Sequence, residues 1–395
     1  MSNTHSVAVF DLAVPRAAER PVRVLQVIEA TLGGTLLFLD TMITATSGLP
    51  IKFGLAYSTL RATPALNSAL EKARDNGWDV FQLEMTREIN PRQDMRSTWE
   101  LIKLYRQFQP DIVHCHSSKA GALGRIAAVA NLLCRPQVAY APHSLASHLG
   151  KKYLLAERAL APLTARLQPV TQSEADELVD LKLTRSGKYT VVWPVVDCER
   201  FAVQDKEQSR IALGLPLGEP ILIGIGRLTA QKSPTAFIEI LAKVIAEKPD
   251  AMGIWIGDGE LREEFFGAAR AYGVEGRITL AGWKDDVRPW LAAADIYLST
   301  SKYESFGYAV AEALAMERPV VATDITGTCD IMEGDLAAYR YLAGDSARAA
   351  ELILELLHDP ELWSRTGRTG RRVIAERFSF LRMRQSLEGL YAQLS

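Results

Sequence analysis

Short apolar runs alternate along the chain with longer stretches whose apolar residues recur at helical spacing. The runs at 22–28, 78–83, 111–114, 137–144, 221–226, 253–256, 277–282, 294–299 and 319–322 end in Gly, Pro or polar residues, the pattern of buried strands. Between them, 67–76, 94–108 and the stretch that opens at Gly307 place apolar residues on one helical face. The last of these stops before Pro319, which cannot continue a helix. Strand and helix in alternation predict Rossmann-type parallel sheets, an α/β protein. Residues 1–20 show no period and read as a frayed leader, and 202–220, with Gly214, Pro216, Gly218 and Pro220, read as irregular chain.

Size divides this alternation. A chain of 395 residues is too long for one ordinary core, so two domains are expected. Apolar residues make up 48% and charged residues 23%, the balance of a globular chain. No apolar run approaches the roughly 20 residues that span a bilayer. Asp11 and Glu19 interrupt the first residues, which excludes a signal-peptide core and predicts a cytoplasmic protein. Cys115, Cys134, Cys198 and Cys329 are scattered and read as reduced thiols, with neither a zinc site nor a disulfide framework.

The net charge of −2 is unevenly shared, with 23 Lys plus Arg against 19 Asp plus Glu in residues 1–200 and 22 against 28 in the rest. Between Lys103 and Arg166 the cations Lys103, Arg106, Lys119, Arg125, Arg135, Lys151, Lys152, Arg158 and Arg166 face only Asp111 and Glu157. Such a patch suits an anionic membrane surface or a phosphate-bearing acceptor, and equally a solvated face. A pI near 6.4 lacks the basic excess of a nucleic-acid binder. Residues 151–166 alternate basic and apolar positions and fit either an interfacial helix or an ordinary domain helix.

Candidate chemistry collects at strand ends. Glu304 lies in the loop before the helix that opens at Gly307 and Glu312 lies inside that helix, near its positive end, where open α/β sheets bind ligands. A carboxylate there accepts from vicinal hydroxyls, and the amides of Phe306 and Gly307 can face a phosphate. Arg227 and Lys232 flank the loop after the 221–226 strand, where two cations stabilise a departing pyrophosphate, and Ser233 is a candidate cap for the helix that Pro234 opens. Gly33 and Gly34 allow close backbone approach to a ligand. The His114-x-His116 spacing invites a metal, but no third ligand stands nearby and the two rings are expected to point apart, so no metal is predicted.

The stretch Glu304-Ser-Phe-Gly through Glu312-Ala-Leu-Ala to Pro319-Val-Val-Ala resembles the E-x7-E signature of retaining glycosyltransferases of family 4, which have the GT-B fold of two Rossmann-like domains facing across a cleft. One departure is Glu317-Arg318, where the family usually shows Gly before the Pro. Arg227 and Lys232 match the family's Arg and Lys. The resemblance implies that Glu304 meets the donor sugar and Glu312 the ribose diol, with Gly33, Gly34, Arg227, Lys232, Phe306 and Gly307 completing the donor site. It implies that His143 stands beside the donor sugar, and that His143, Arg227, Lys232 and Glu304 are catalytic. Residues 116–121 resemble a His-Ser-Ser-Lys-Ala-Gly segment of members that build capsule, exopolysaccharide and O-antigen, which places His116, Ser118 and Lys119 on the acceptor side. The segment 324–330 replaces the family's Gly-Gly-x-Pro-Glu, keeping Gly327 and Thr328.

The same resemblance implies an acceptor-side domain at 1–198, entered from a strand that ends in the Pro194 loop, a donor domain at 199–377, and a last helix, 378–395, that crosses back. The expected activity is metal-independent, cofactor-free, front-face transfer of a sugar from a UDP- or GDP-sugar to a glycan or lipid-linked acceptor, with peripheral contact at the cytoplasmic membrane face. A sugar-nucleotide epimerase of the same fold and an inactive nucleotide- or glycan-binding module are the rival readings.

Overall fold

The computed structural model describes residues 20–31, 33–60, 63–131, 133–143 and 150–395. The leader read at 1–20 lies outside them save its last residue, and so does the end of the strand read at 137–144. Two six-stranded sheets form the frame. The first contains β1 (Val22–Ile28), β2 (Ile51–Ser58), β3 (Asp79–Leu83), β4 (Ile112–His116), β5 (Gln137–Ala141) and β6 (Arg166–Leu167), in the order β3-β2-β1-β4-β5-β6. The second contains β7 (Ile221–Ile225), β8 (Met252–Ile256), β9 (Ile278–Gly282), β10 (Ile296–Ser299), β11 (Val320–Thr323) and β12 (Arg340–Tyr341), in the order β12-β11-β10-β7-β8-β9. Read from the opposite edge, the second order repeats the first. Pairing within both sheets is parallel, Val24 facing Ile112 in one and Tyr297 facing Val320 in the other. Strands covered by helices on both faces need apolar residues throughout, and β4 and β10 are buried along their whole length.

The order reverses between β1 and β4 and again between β7 and β10, and a ligand crevice opens beyond the carboxyl ends of the strands at such points. One apolar core runs from the helix Gly33–Ala45 through Val192, Val195, Val196 and Phe201 into the second sheet. The chain passes between the sheets twice and the two passages meet, Val196 N donating to Phe378 O at 2.9 Å with Trp193 edge-on to Phe378. The helix Phe380–Ala392 then packs on Gly33–Ala45, with Arg384 Nη1 donating to Ser47 O at 2.7 Å.

Three local expectations need correction. Residues 202–220 are not irregular throughout: Lys206–Leu213 is helical, Asp205 accepts from Gln208 N at 2.7 Å as its cap, and Gly214 closes it at φ 66°. Arg210 holds that helix to the second sheet through a buried guanidinium, a long-range contact with no local sequence signal. The strand expected up to Pro194 is extended chain joined to the first sheet by the single bridge Leu167–Tyr189. Ser233 does not cap Pro234–Glu247, because it sits at φ 48° and its hydroxyl makes no cap bond.

Candidate active site

Two loops at the β7/β10 switch point are stitched together. Lys302 N donates to Gln231 O at 2.7 Å, Gln231 Nε2 to Tyr303 O at 3.0 Å, and Thr300 Oγ1 to Lys232 O at 2.9 Å. The turn after β8 presses on the first loop: a Cβ at Gly257 would stand 2.1 Å from Gly226 O, and one at Gly259 2.5 Å from Leu228 O, so only glycine fits at either place. Lys232 lays its stem over Gly226 and forms an ion pair with Glu304, whose Oε1 also accepts from Ser301 Oγ at 2.8 Å. Arg227, five residues before Lys232, is exposed, and its side chain makes no hydrogen bond or ion pair with a described residue.

Glu312 projects from the helix Tyr308–Ala315, half-buried and without a hydrogen bond from a described residue. Burial pushes its carboxyl up to about 7, against the pull of the Arg200 and Lys232 charges. Arg200 comes from the passage between the sheets, a role not visible in the sequence. Phe306 is 3% exposed, its ring against Tyr308 and Phe378, so its side chain belongs to the core and only its backbone can serve a ligand. Gly327, at φ 82°, lets a second loop close on this one, since a Cβ there would stand 2.9 Å from Glu304 O and Phe306 N. The first domain grips the same place. Thr171 Oγ1 donates to Ser305 O at 3.1 Å, and Asp330 accepts from Ser173 N and Oγ at the start of the helix Gln172–Asp180.

Across the crevice, Gly33 takes φ 61° at the start of its helix. Gly34 serves a packing purpose: its missing Cβ makes room for the Tyr308 ring, which would otherwise lie 3.1 Å from it. Tyr308 thus joins the second domain to the glycine loop, and its buried hydroxyl has no partner among the described residues.

His114 and His116 do not point apart. Residues two apart on a strand share a face, and their ring centroids lie 4.3 Å from each other. His116 Nδ1 is 2.9 Å from His143 Nε2, so these two imidazoles meet at the ends of β4 and β5. Burial lowers His114 and His143 to about 3 and His116 well below its usual range, which makes all three neutral at pH 7. Among the described residues no group of three or more His, Cys, Asp or Glu is arranged to hold a metal ion. His143 and Ser117 sit at φ 57° and 73°, adjacent left-handed residues at the ligand edge of the sheet, a strain that concentrates at functional sites.

Of the other acceptor-side candidates, Ser118 faces the Tyr140 phenol, and Lys119 is tied to Asp94 at 2.7 Å and Glu88 O at 2.8 Å, which engages its charge within the protein. The structure therefore gathers Arg227, Lys232, Glu304 and Glu312 on one wall and His116 and His143 on the other, with Gly34 and Tyr308 bridging them. Gln26 joins the histidine wall. A lone amide inside an apolar strand was the sequence signal for it.

The family model for glycosyl transferases group 1 matches residues 205–373, and that for glycosyltransferase family 4 matches residues 59–200. A UDP-Gal:α-D-GlcNAc-diphosphoundecaprenol α-1,3-galactosyltransferase of Escherichia coli is 27% identical, covering 80% of this chain and 83% of its own. The putative glycosyltransferase EpsD of Bacillus subtilis is 28% identical over 80% and 84%. Among solved structures, Anabaena HepE in complex with UDP and glucose superposes with a TM-score of 0.79 at 19% identity, covering 94% of this chain and 100% of that one. The sucrose-phosphate synthase of Thermosynechococcus elongatus gives 0.75 at 17%, covering 94% and 99%.

Proposed function

We propose, for a chain that belongs to the family 4 glycosyltransferases of GT-B fold, that it transfers a hexosyl group from a UDP-sugar to a hydroxyl of a lipid-linked glycan with retention at the anomeric carbon. The observation that carries the reading is the Lys232–Glu304 pair beside the unpaired Arg227 at the β7/β10 switch point. An ammonium and a carboxylate that satisfy each other can each take a ligand partner instead, a phosphate oxygen for Lys232 and sugar hydroxyls for Glu304.

As the bond from the anomeric carbon to the β-phosphate oxygen breaks, charge grows on the diphosphate, and Lys232 and Arg227 stabilise it there. The acceptor oxygen bonds to the same carbon on the face being vacated, and its proton passes to the departing phosphate oxygen. His143 presents a neutral imidazole beside the sugar, and Glu312 accepts the ribose diol. UDP is favoured because the Escherichia coli relative is named for UDP-Gal and HepE was solved with UDP. Arg227 and Lys232 can supply the positive charge that a divalent metal would otherwise bring to the diphosphate, which supports transfer without a metal or cofactor. In this reading residues 1–198 form the acceptor side, 199–377 the donor side, and 378–395 the helix that crosses back.

Calorimetry with UDP and GDP at pH 6, with and without chelator, tests the donor side. A diol that donates to Glu312 requires the carboxylate ionised, and about 7 is above that pH, so UDP binding is expected to release a proton. Glu312→Gln should bind UDP more weakly and release fewer protons, the remainder coming from the UDP phosphate, which titrates at about pH 6. Binding of GDP alone would change the base. Binding that vanishes with chelator would remove the metal-free reading, and conversion of a UDP-sugar without acceptor would favour an epimerase.

The acceptor side supports a lipid surface. In the helix Lys151–Leu160 only Glu157 is buried, while Tyr153 and Leu155 are 47% and 70% exposed. The helix Ser118–Ala130 beside it exposes Ile126 and Val129, and Leu133 follows at 82%. Arg135, Lys151, Lys152 and Arg158 are exposed in the same segments, a basic and apolar combination that suits an anionic bilayer. Among the described residues no helix is long and apolar enough to cross a membrane, so contact would be peripheral. The protein is expected to float with phosphatidylglycerol vesicles and not with phosphatidylcholine ones, and Leu155→Glu with Lys152→Glu should abolish flotation. Equal flotation with both lipids, or none, would remove this surface.

A further inference from the structure

We propose that Gln26 and Tyr391 are positioning residues for His143, committing its Nε2 hydrogen to His116 and leaving its Nδ1 lone pair free for the substrate. The inference rests on the placement of His143 beside the donor sugar. A buried chain of side chains begins at the helix Phe380–Ala392 and ends at this ring. Tyr391 Oη lies 3.1 Å from His114 Nδ1 and accepts from Gln26 Nε2 at 2.9 Å. Gln26 Oε1 is 2.9 Å from His116 Nε2, and His116 Nδ1 is 2.9 Å from His143 Nε2.

Hydrogen-bonding capacity gives the chain a direction. The Gln168 amide donates its Nε2 hydrogen to Pro169 O, which leaves a buried Oε1 as an acceptor. Buried Nε2 of His114 also lacks a partner at full hydrogen-bond geometry, yet Gln168 favours the protonated form of that ring. His114 therefore keeps its hydrogen on Nε2, and its Nδ1 accepts from the Tyr391 hydroxyl. The phenol oxygen in turn accepts from the Gln26 amide, and Oε1 of that amide accepts from His116 Nε2. His116 Nδ1 is left as an acceptor, so His143 must donate through Nε2.

Every ring in the chain is neutral, because burial disfavours each imidazolium. Among the described residues, the titratable groups facing it are the three imidazoles and the Tyr391 phenol, and the helix Gly33–Ala45 contributes the Phe38 ring, 4.9 Å from His143 and edge-on. Were the Gln26 amide reversed, the His116 and His143 hydrogens would both move to Nδ1, and the substrate would meet a donor instead of an acceptor.

Two variants, each with kcat and donor KM read from a full donor titration, test this. Tyr391→Phe keeps the ring but frees the Gln26 amide to reverse, and kcat should fall about three- to tenfold with donor KM unchanged. Gln26→Glu puts a carboxylate against His116 and should move the acid limb of kcat upward by about one to two pH units. Wild-type kcat and pH profile in both variants would overturn the proposal, and so would a Tyr391→Phe protein whose only change is a lower Tm. If Gln26→Glu does not fold, Tyr391→Phe decides alone. His143→Ala separates the two layers: a wild-type kcat there removes the role of His143 itself, whereas a large loss there with silent Gln26 and Tyr391 variants removes only the positioning chain.

Discussion

Lys232→Ala is expected to lower kcat by about 10²–10³-fold, the loss seen when one preorganised donor is removed from a developing anion. The ground-state donor contact is a smaller part of what this ammonium supplies, so donor KM should change by less than kcat. The Lys232 side chain is 23% exposed at the cleft and Glu304 keeps its bond from Ser301 Oγ, so the loss of thermal stability should be smaller than the one expected at Arg210. Lys232→Arg is not expected to rescue turnover, since the straight stem lies against Gly226, where a Cβ would already stand 3.0 Å from Lys232 Cδ. A kcat within about threefold of wild type would show that Arg227 suffices and that the pair with Glu304 is not the centre of the site.

The largest stability loss belongs far from this chemistry. Arg210→Ala is expected to cost about 3–5 kcal/mol, because it leaves four backbone carbonyls without the guanidinium they accept from, and Asp295 with Lys206, at 2.9 Å, as its one remaining ion-pair partner among the described residues. That guanidinium is 2% exposed and donates to Asp295 Oδ2 at 2.7 Å, Ala293 O at 2.9 Å, Pro216 O at 3.2 Å, Leu217 O at 2.7 Å and Glu219 O at 3.0 Å. Asp295 also accepts from Ile221 N, the first residue of β7, so the network fixes the strand that carries Arg227. A fall in Tm of about 10 °C is expected for a loss of this size, with activity of the folded fraction kept at low temperature. Arg210→Lys should recover little, having three donors where five bonds are made. A Tm within about 2 °C of wild type would mean that water or a repacked loop replaces the guanidinium.

Much of the frame was legible because its signals are local. Apolar runs closed by Gly, Pro or polar residues mark nine of the twelve strands described, missing β2 and the two-residue β6 and β12, and the carboxylate spacing of Glu304 and Glu312 survives any error in helix boundaries. What escaped depends on contacts distant in sequence. Arg125 counts among the cations of the basic segment, yet it is 1% exposed, bonded to Glu157 at 2.8 Å and stacked over Tyr140, so it strengthens the core and adds nothing to a surface. Lys119 was misleading for the same reason. The departure at Glu317 becomes intelligible only in three dimensions. It takes φ 58°, the conformation for which glycine is usually chosen, and Gly367 is the residue without a Cβ, since one there would stand 2.3 Å from Glu317 O. The two histidines were misplaced by a wrong step about strand alternation, since equal parity along a strand means a shared face.

The crossing helix has a consequence for how the protein is made. Gln26 and Tyr391 are 365 positions apart, and Phe53 also meets Tyr391 edge-on. The helices Gly33–Ala45 and Pro64–Asp75 cover most of the face of the first sheet that carries Gln26 and Phe53, but the strip that Tyr391 closes stays open on the ribosome while both sheets are being synthesised. The second sheet, whose strands and flanking helices all lie between residues 206 and 377, is likewise synthesised before that helix. The last helix is thus the seal of both halves, and until it emerges the apolar strip it covers on the first sheet is open to chaperones and to other nascent chains.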